Sequence, residues 1–482
     1  MSNLPYCAIY DFELLPYALG DVLTWNVQTA RRCEEAGRSK VDIYICHDPR
    51  QPANIYQRGL VVPENAGLFF NELFGAFGTH PLLGNTHLFS SRDELLERLR
   101  QVSAGDAVNE SVLADYERVL AGREDEEALK KYFIRYIYSH EQLNAFAERH
   151  GRIPLLVASR GCEPDVQGLL STVLAGKRIV LIHPRLRRLD AGLGGGHTHS
   201  RDSDFLEWLE FVRHAETLHP EVQFVVAGRL QEKPLELLRR PNVMSLRALG
   251  FGLGHELTLM LKADLFIGTS SGFAAMANFC ELPYFITHMN AESCNAYAIK
   301  QGATKLPFAQ PNQVLVYERE TSEMLLRLLK EGLSLPLRGQ AMAPIVRQTD
   351  ACARTFQRQR REWLQPGATT YRFFLDDTYV DQETAFLVSP KVQEAFVQLE
   401  GGNAAQAHTI AARIATNFPR LARRLPELRD IADSVGRPMH RRLKHKLRSA
   451  LLAISGNIIP MSLRGTLVHR VAHRMKERVS GL

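Results

Sequence analysis

Short apolar runs alternate with longer amphipathic stretches along most of the chain. An apolar run at 6–12 is followed by a helical pattern over 22–35 and by an alternating strand at 41–46. The same succession returns with strands at 178–182 and 222–228. Strands that alternate with helices at this spacing predict parallel sheets built from right-handed β-α-β units. The pattern therefore predicts an α/β protein.

The stretch at 263–287, ADLFIGTSSGFAAMANFCELPYFIT, combines a strand, a turn, a helix and a second strand. The apolar run at 265–267 ends in a Gly/Ser/Thr turn over 268–272, and small and apolar residues then recur at helical spacing as far as Cys280. Backbone N–H groups at the start of a helix can bind phosphate or sugar oxygens. Such turns are also routine connections in parallel α/β domains, so both interpretations stay open here.

Composition and cysteine usage narrow the class of protein. With 482 residues, 45% hydrophobic and 23% charged, the chain has the composition of a soluble globular protein of two or three domains. No secretory signal is recognisable at the start, and no window reaches about 18 uninterrupted apolar residues, which predicts a cytosolic protein. The seven cysteines form no CxxC pair, which predicts reduced thiols and no zinc site.

The net charge of +6 is distributed unevenly. Residues 437–482 carry eleven Lys and Arg against one acid, Glu477, so this tail is strongly basic and the rest of the chain slightly acidic. The tail predicts two amphipathic helices broken at Gly456 and Pro460. Such helices suit an anionic membrane surface, although packing of their apolar face on the protein itself is an equally open interpretation. No recognised motif accompanies the charge, so no nucleic-acid partner is predicted.

A Gly-, Pro-, Asn- and Phe-rich stretch at 54–91 shows no clear periodicity and predicts a functional loop. Helices are predicted after it at 92–102, 112–120 and 124–149, and a strand at 153–159 would close the first domain. Four residues of the stretch are candidates for contact with an acceptor: Asn71, His80, Asn85 and His87.

Basic and glycine residues follow the strand at 178–182 and precede a helix predicted at 205–218. His183, Arg185 and Arg187 stand first among them. Arginine can bind two phosphate oxygens at once, which favours a phosphate-binding loop, although a solvated basic loop has the same composition.

Asp21 follows Gly20 in the turn after the first strand. As the N-cap of the next helix it would need no further function. As a general base at the mouth of a cleft between domains, it would take a proton from an attacking hydroxyl. Position alone favours the cap.

Several segments resemble the bacterial heptosyltransferase-type glycosyltransferases. GDVLTWNVQTARRCEEAGRSKVDIYI is similar to the start of that family, and IVLIHPR, FVVAGR and LMLKADLFIGTSSGFAAMANFCELPYFI follow in the order of its second domain. The resemblance covers about 6–46 and 178–290. The turn departs from the family pattern, because Ser270 replaces an acid, Phe273 a proline and Ala275 a histidine. The donor nucleotide and sugar are therefore left open.

The resemblance implies a GT-B fold, in which two Rossmann-like parallel-sheet domains face a cleft, with a helical C-terminal appendage. The implied divisions are an acceptor domain at 1–165, a nucleotide-sugar donor domain at 166–345, a crossover helix and linker at 346–385 and a helical basic region at 386–482. It implies transfer without a metal or other cofactor, and it favours Asp21 as the base. The implied donor-binding residues are His183, Arg185, Arg187, Gly228, Arg229, Thr269, Ser270, Ser271 and Gly272.

The sequence thus predicts transfer of a sugar from a nucleotide-sugar donor to a hydroxyl of a glycan or glycolipid acceptor. The expected setting is synthesis of a cell-surface polysaccharide, such as lipopolysaccharide or capsule, in the cytoplasm or on the inner face of the cell membrane. A sugar-nucleotide epimerase and a non-catalytic sugar- or partner-binding scaffold are the alternatives.

Overall fold

The structure is a computed structural model that describes residues 4–48, 50–58, 60–185, 202–229, 232–335, 395, 398 and 403–417. The predictions for Arg187, for the crossover at 346–385 and for the basic tail at 437–482 lie outside these residues. Within them, no helix has the length and apolar character needed to cross a membrane.

A first unit, residues 4–171, contains a three-stranded parallel sheet in the order β1-β2-β3. Its elements are β1 (Tyr6–Asp11), α1 (Leu19–Glu35), β2 (Val41–Cys46), α2 (Pro63–Phe77), β3 (Leu83–Phe89), α3 (Arg92–Ser103), α4 (Ala107–Ala121), α5 (Glu126–Tyr136), α6 (His140–His150) and α7 (Glu163–Ser171).

Most of the predicted loop at 54–91 is regular structure, because it contains both α2 and β3. On α2 the buried residues Ala66, Phe70, Leu73 and Phe77 recur at helical spacing. Glycines between them obscure this amphipathic pattern in the sequence. The single helix predicted at 124–149 is two helices, α5 and α6.

The strand predicted at 153–159 is absent from the described structure, and helix α4 runs along the edge of β1 instead. The Asn109 side-chain oxygen on α4 accepts a hydrogen bond of 2.9 Å from the backbone N–H of Cys7 in β1. The segment at 153–159 joins the two units: Leu156 N–H donates to the Phe279 carbonyl at 2.8 Å, and Val157 N–H donates to the Thr79 carbonyl at 3.0 Å. These bonds satisfy two of its backbone N–H groups without a place in the sheet.

A second unit, residues 178–335, contains a six-stranded parallel sheet in the order β6-β5-β4-β7-β8-β9. The two parallel sheets confirm the predicted α/β class. Its elements are β4 (Arg178–His183), α8 (Phe205–Leu218), β5 (Val222–Val226), α9 (Leu235–Leu238), β6 (Val243–Met244), α10 (Leu253–Met260), β7 (Leu265–Thr269), α11 (Gly272–Asn278), β8 (Tyr284–Thr287), α12 (Ala291–Ala296), β9 (Gln313–Leu315) and α13 (Ser322–Leu333).

A further helix, α14 (Ala404–Asn417), packs on α8 of the second unit. Its buried residues Ile410 and Ile414 join the apolar core beneath α8. The Arg413 guanidinium donates to the carboxylates of Glu207 at 3.0 Å and of Glu210 at 2.6 Å. Apolar and charged contacts together hold α14 against the second unit.

The two units meet where helices cross, and both helices contribute a glycine to the crossing. A Cβ atom on Gly20 of α1 would lie 3.4 Å from the Cα of Gly272 in α11, and one on Gly75 of α2 would lie 2.8 Å from the backbone nitrogen of Gly254 in α10. Buried apolar side chains of both units form one continuous core across this boundary. The backbones therefore set the separation of the two units.

Replacement of Gly75 by Ala tests this contact. The added methyl group would meet the backbone of Gly254, so we expect Gly75→Ala to lower the free energy of unfolding by about 1–3 kcal/mol in urea denaturation. Gly67→Ala on the same helix is the matched control, because nothing lies within 4 Å of its added Cβ. The control should gain about 0.5–1 kcal/mol from helix propensity. Equal effects of the two substitutions would contradict the close crossing.

Candidate functional site

The order of the second sheet reverses between β4 and β7, so their carboxyl ends flank a topological switch point. Ligands of open α/β sheets bind in the crevice outside the strands at such a point. His183 ends β4 and pairs in register with Gly268 of β7. The His183 ring centroid lies 4.7 Å from that of Phe273. This contact joins the end of β4 to the helix after β7. The predicted residues of these two loops are thus neighbours.

The imidazole of His183 is buried, and its Nδ1 lies 3.0 Å from the carbonyl oxygen of Ala227. Burial, with a smaller contribution from the Lys233 ammonium, lowers the pKa of His183 well below its usual value. The neutral ring can donate from Nδ1 to that carbonyl. It therefore supplies no positive charge to a bound phosphate.

Arg185 stands where the chain leaves β4, and its guanidinium donates to the Asp202 carboxylate at 3.1 Å. Its backbone N–H donates to the Ser203 hydroxyl at 3.0 Å, and the Ser203 N–H donates back to the Arg185 carbonyl at 2.7 Å. These bonds join the chain that follows β4 to the residues that precede α8. They keep the Arg185 guanidinium close to the switch point.

The turn after β7 is packed tightly. Thr269 is fully buried, and within the described part of the chain its hydroxyl oxygen has no hydrogen-bond partner. The Ser270 hydroxyl accepts from Ser293 at 3.1 Å, while the Ser271 side chain caps α11 by accepting from the Ala274 N–H at 3.4 Å. A Cβ on Gly272 would lie 2.8 Å from that of Leu19, so helix packing alone requires glycine there.

Gly228 and Arg229 follow β5 at the same edge of the sheet. Gly228 has φ +103°, and a Cβ on it would lie 3.1 Å from Cε1 of His183. This position therefore favours glycine for both conformation and space. The Arg229 side chain extends to the first unit, where its Nε lies 2.5 Å from the Glu72 carboxylate and its Cζ 5.1 Å from the Phe69 ring centroid.

Lys233 belongs to this cluster, although the sequence did not single it out. Its side chain is 2% exposed, and its ammonium donates to the Pro184 carbonyl at 2.7 Å. Burial lowers its pKa to about 8, against the opposing effects of the Glu232 and Glu256 carboxylates. The position of Lys233 shortly after a strand and Gly228 could have indicated it as a candidate, but the sequence does not show that its side chain is buried.

Asp21 is the third residue of α1, whose N-cap is Ala18, so the interpretation of Asp21 as the cap was wrong. Its carboxylate accepts a hydrogen bond of 2.9 Å from the Tyr138 hydroxyl. The preceding residue, Gly20, packs on Gly272. The fold therefore brings Asp21 beside the turn that follows β7.

His80 does not belong to an acceptor surface, because it is fully buried in the first unit. Its Nε2 lies 3.0 Å from the Thr29 hydroxyl, and its Nδ1 accepts from the Leu82 N–H at 3.1 Å. Burial lowers its pKa to about 3. It is a core histidine with both ring nitrogens engaged.

Of the other three acceptor candidates, Asn85 and His87 lie together on β3, and His87 Nε2 is 4.0 Å from the same Asp42 carboxylate that Asn85 contacts. Asn71 is exposed on α2. Asn85 lies near the amino end of β3, away from Asp21, and its backbone N–H donates to the Asp42 carboxylate at 2.8 Å. His87 stacks on Tyr44 with ring centroids 4.7 Å apart. The structure thus groups Asn85 and His87 around Asp42, while Asn71 lies on a different element.

Searches for related proteins give structural similarity only. No protein-family model matches the sequence, and no curated protein matches it. A computed structure comparison finds similarity to Escherichia coli ADP-heptose LPS heptosyltransferase II, at 12% identity over 68% of this chain and 98% of that one, with a TM-score of 0.39. A glycosyl transferase family 9 protein from Veillonella parvula has 14% identity over 69% and 98%, with a TM-score of 0.39. A putative UDP-N-acetylglucosamine 2-epimerase from Listeria monocytogenes has 10% identity over 78% and 98%, with a TM-score of 0.32.

The buried ammonium of Lys233 predicts a pH dependence of stability. Its pKa of about 8 in the fold lies below the ordinary value of 10.5, so the unfolded chain binds more protons between these pH values. The free energy of unfolding should therefore rise with pH across this range. We expect Lys233→Met to lose about 1–3 kcal/mol of that rise between pH 7.5 and 10 in urea denaturation.

Lys262→Met is the control, because the Lys262 side chain is 42% exposed. This variant should keep the pH dependence of the unmodified protein. A Lys233→Met variant with the same rise as the control would show that the ammonium keeps its ordinary pKa in the fold.

Proposed function

We propose that this chain is a GT-B glycosyltransferase that moves a sugar from a nucleotide-sugar donor to a hydroxyl of a glycan or glycolipid. One observation carries the proposal: Asp21 of the first unit directly follows Gly20, which packs on the turn at the switch point of the second. A potential base and a potential phosphate site thus share one boundary. Residues from both units would act on the two substrates of a transfer.

The donor diphosphate would lie at the carboxyl ends of β4, β5 and β7. Arg185, Lys233 and Arg229 lie on the loops after β4 and β5, and they would oppose the charge that develops as the diphosphate departs. A preorganised donor of this kind contributes about 3 kcal/mol to transition-state stabilisation. Such cations would replace a metal, so we propose metal-independent transfer.

In the proposed reaction, the acceptor hydroxyl oxygen forms a bond to the anomeric carbon while the bond from that carbon to the diphosphate oxygen breaks. The hydroxyl proton passes to the Asp21 carboxylate. The electron pair of the broken bond leaves with the nucleoside diphosphate. Tyr138 would hold the Asp21 carboxylate through its hydrogen bond of 2.9 Å.

The setting that we propose is cell-surface polysaccharide synthesis, lipopolysaccharide or capsule included, on the cytoplasmic side of the membrane. The cationic composition of 437–482 supports an association with anionic lipid. Loss of salt-sensitive binding to anionic liposomes on removal of 437–482 would support this part of the proposal, and absence of liposome binding by the full chain would refute it.

A non-catalytic sugar- or partner-binding scaffold is the second candidate. The observation that favours it is Phe273, which is buried and packs against His183 at the switch point. A large ring there reduces the space for a donor. Such a protein would bind a sugar or partner and release no nucleotide from any donor.

Nucleotide binding is the first test of the proposal. In a thermal-shift screen against UDP, GDP, CDP, ADP and their sugars, we expect one nucleotide to raise Tm, since about 100 times Kd of ligand adds about 2.7 kcal/mol of stability. Arg185→Ala should lose this shift. Arg327→Ala should keep it, because Arg327 is exposed and pairs with Glu318. A flat response to the whole panel would count against the transferase and favour the scaffold.

Asp21→Asn separates catalysis from binding. The amide accepts no proton at neutral pH, so we expect release of nucleoside diphosphate in the presence of acceptor to fall about a hundredfold or more. The nucleotide-dependent Tm shift should remain. Full turnover in Asp21→Asn would remove the base assignment, and a sugar altered without any acceptor would indicate an epimerase.

A further inference from the structure

A row of aromatic side chains in the first unit connects the surface to Asp21. Tyr56 lies on the loop before α2, and half of it is exposed to solvent. Its ring centroid is 5.1 Å from that of Phe133, which in turn is 5.0 Å from that of Tyr138. The Tyr138 hydroxyl donates to the Asp21 carboxylate at 2.9 Å. A ligand that stacks on Tyr56 would therefore be separated from Tyr138, the residue that bonds Asp21, by the ring of Phe133.

We propose that Tyr56, Phe133 and Tyr138 form an aromatic platform that binds a neutral pyranose ring of the acceptor. The inference rests on the proposed function for its placement of the acceptor beside Asp21. A pyranose presents an apolar face of C–H groups and a rim of hydroxyls. Aromatic rings match the face, and the Tyr56 hydroxyl can bond the rim.

The exposed ring of Tyr56 is held in place by its own loop. The Tyr56 N–H donates to the Asn54 side-chain oxygen at 3.0 Å, and the buried Asn54 amide donates to the Leu14 carbonyl at 2.6 Å. On the other side, Gln57 accepts from the Tyr17 N–H at 2.6 Å. A preorganised ring loses little conformational entropy when a ligand stacks on it.

The charges around Tyr56 favour a neutral ligand over an anionic one. The charged groups that act on its hydroxyl are Lys130, Glu126 and Glu127. The Lys130 ammonium donates to the Glu127 carboxylate at 2.7 Å, so its charge is largely offset. This surface offers no excess of positive charge to a phosphate or a carboxylate. A sugar with hydroxyls alone suits it better.

Saturation-transfer NMR on the full-length protein tests the platform. The probes are the methyl glycosides of glucose, galactose, mannose and N-acetylglucosamine, with methyl glucuronide as the anionic comparison, all without nucleotide. We expect saturation of the ring C–H protons of at least one neutral glycoside, with a loss of about fivefold in affinity for Tyr56→Ala. Tyr56→Trp should restore binding because it supplies another aromatic face.

Leu88→Ala is the matched control, since it removes an exposed apolar side chain from β3, outside the platform. It should bind as the unmodified protein does. Binding of no neutral glycoside, equal binding by Tyr56→Ala and the unmodified protein, or a preference for glucuronide would each overturn the platform. An unchanged Tm for Tyr56→Ala would show that its loss of binding is local.

The thermal-shift screen with nucleotides distinguishes this failure from failure of the proposed function. Nucleotide binding without glycoside binding would overturn the platform and leave the donor site standing. Glycoside binding that depends on Tyr56, with no response to any nucleotide, would support the platform as a sugar site and count against the transferase.

Discussion

The contact between Gly20 of α1 and Gly272 of α11 is the constraint on which the candidate site depends. A Cβ on Gly272 would lie 3.0 Å from the Gly20 backbone nitrogen, so α11 does not tolerate a bulkier residue at this crossing, whereas a Cβ on Gly20 would make ordinary contact at 3.4 Å. Because the helices approach so closely, Asp21 lies beside the turn after β7. A similar crossing at Gly75 and Gly254 limits rotation of one unit about the other. Backbone packing thus positions Asp21, the proposed base.

The strand order of the second sheet concentrates charge at one point. Connections leave β4 toward β5 and β7 on opposite sides, so Arg185 and Lys233 gather at the carboxyl ends near the reversal. Arg185 is already paired with Asp202, whereas burial of the Lys233 ammonium carries a cost that the Glu232 and Glu256 carboxylates offset only in part. An anionic ligand would offset that cost. Nearby, His183 stays neutral, which limits the local repulsion between cations.

Periodicity predicted the two parallel sheets, because buried strands are short apolar runs between amphipathic helices. It missed α2, where Gly67 and Gly75 interrupt an otherwise amphipathic pattern. The prediction for His80 from residue type alone was wrong, because the sequence does not distinguish a histidine in the core from one on the surface. Lys233 was missed for the same reason. Which polar residues a fold buries depends on contacts between segments far apart in sequence, and periodicity does not contain that information.

The two units offer different chemistry to a ligand at their boundary. The second unit presents cations on the loops that carry Arg185 and Lys233, which suit a diphosphate. The first presents aromatic rings around Tyr138 and the carboxylate of Asp21, which suit an uncharged hydroxyl compound, while its Glu72 carboxylate is paired with Arg229. The Asp21 carboxylate would repel a diphosphate that bound to the first unit instead of the second. The cations of the second unit and the Asp21 carboxylate of the first therefore favour one orientation of the two substrates. In that orientation the acceptor hydroxyl is directed toward the anomeric carbon that the diphosphate leaves.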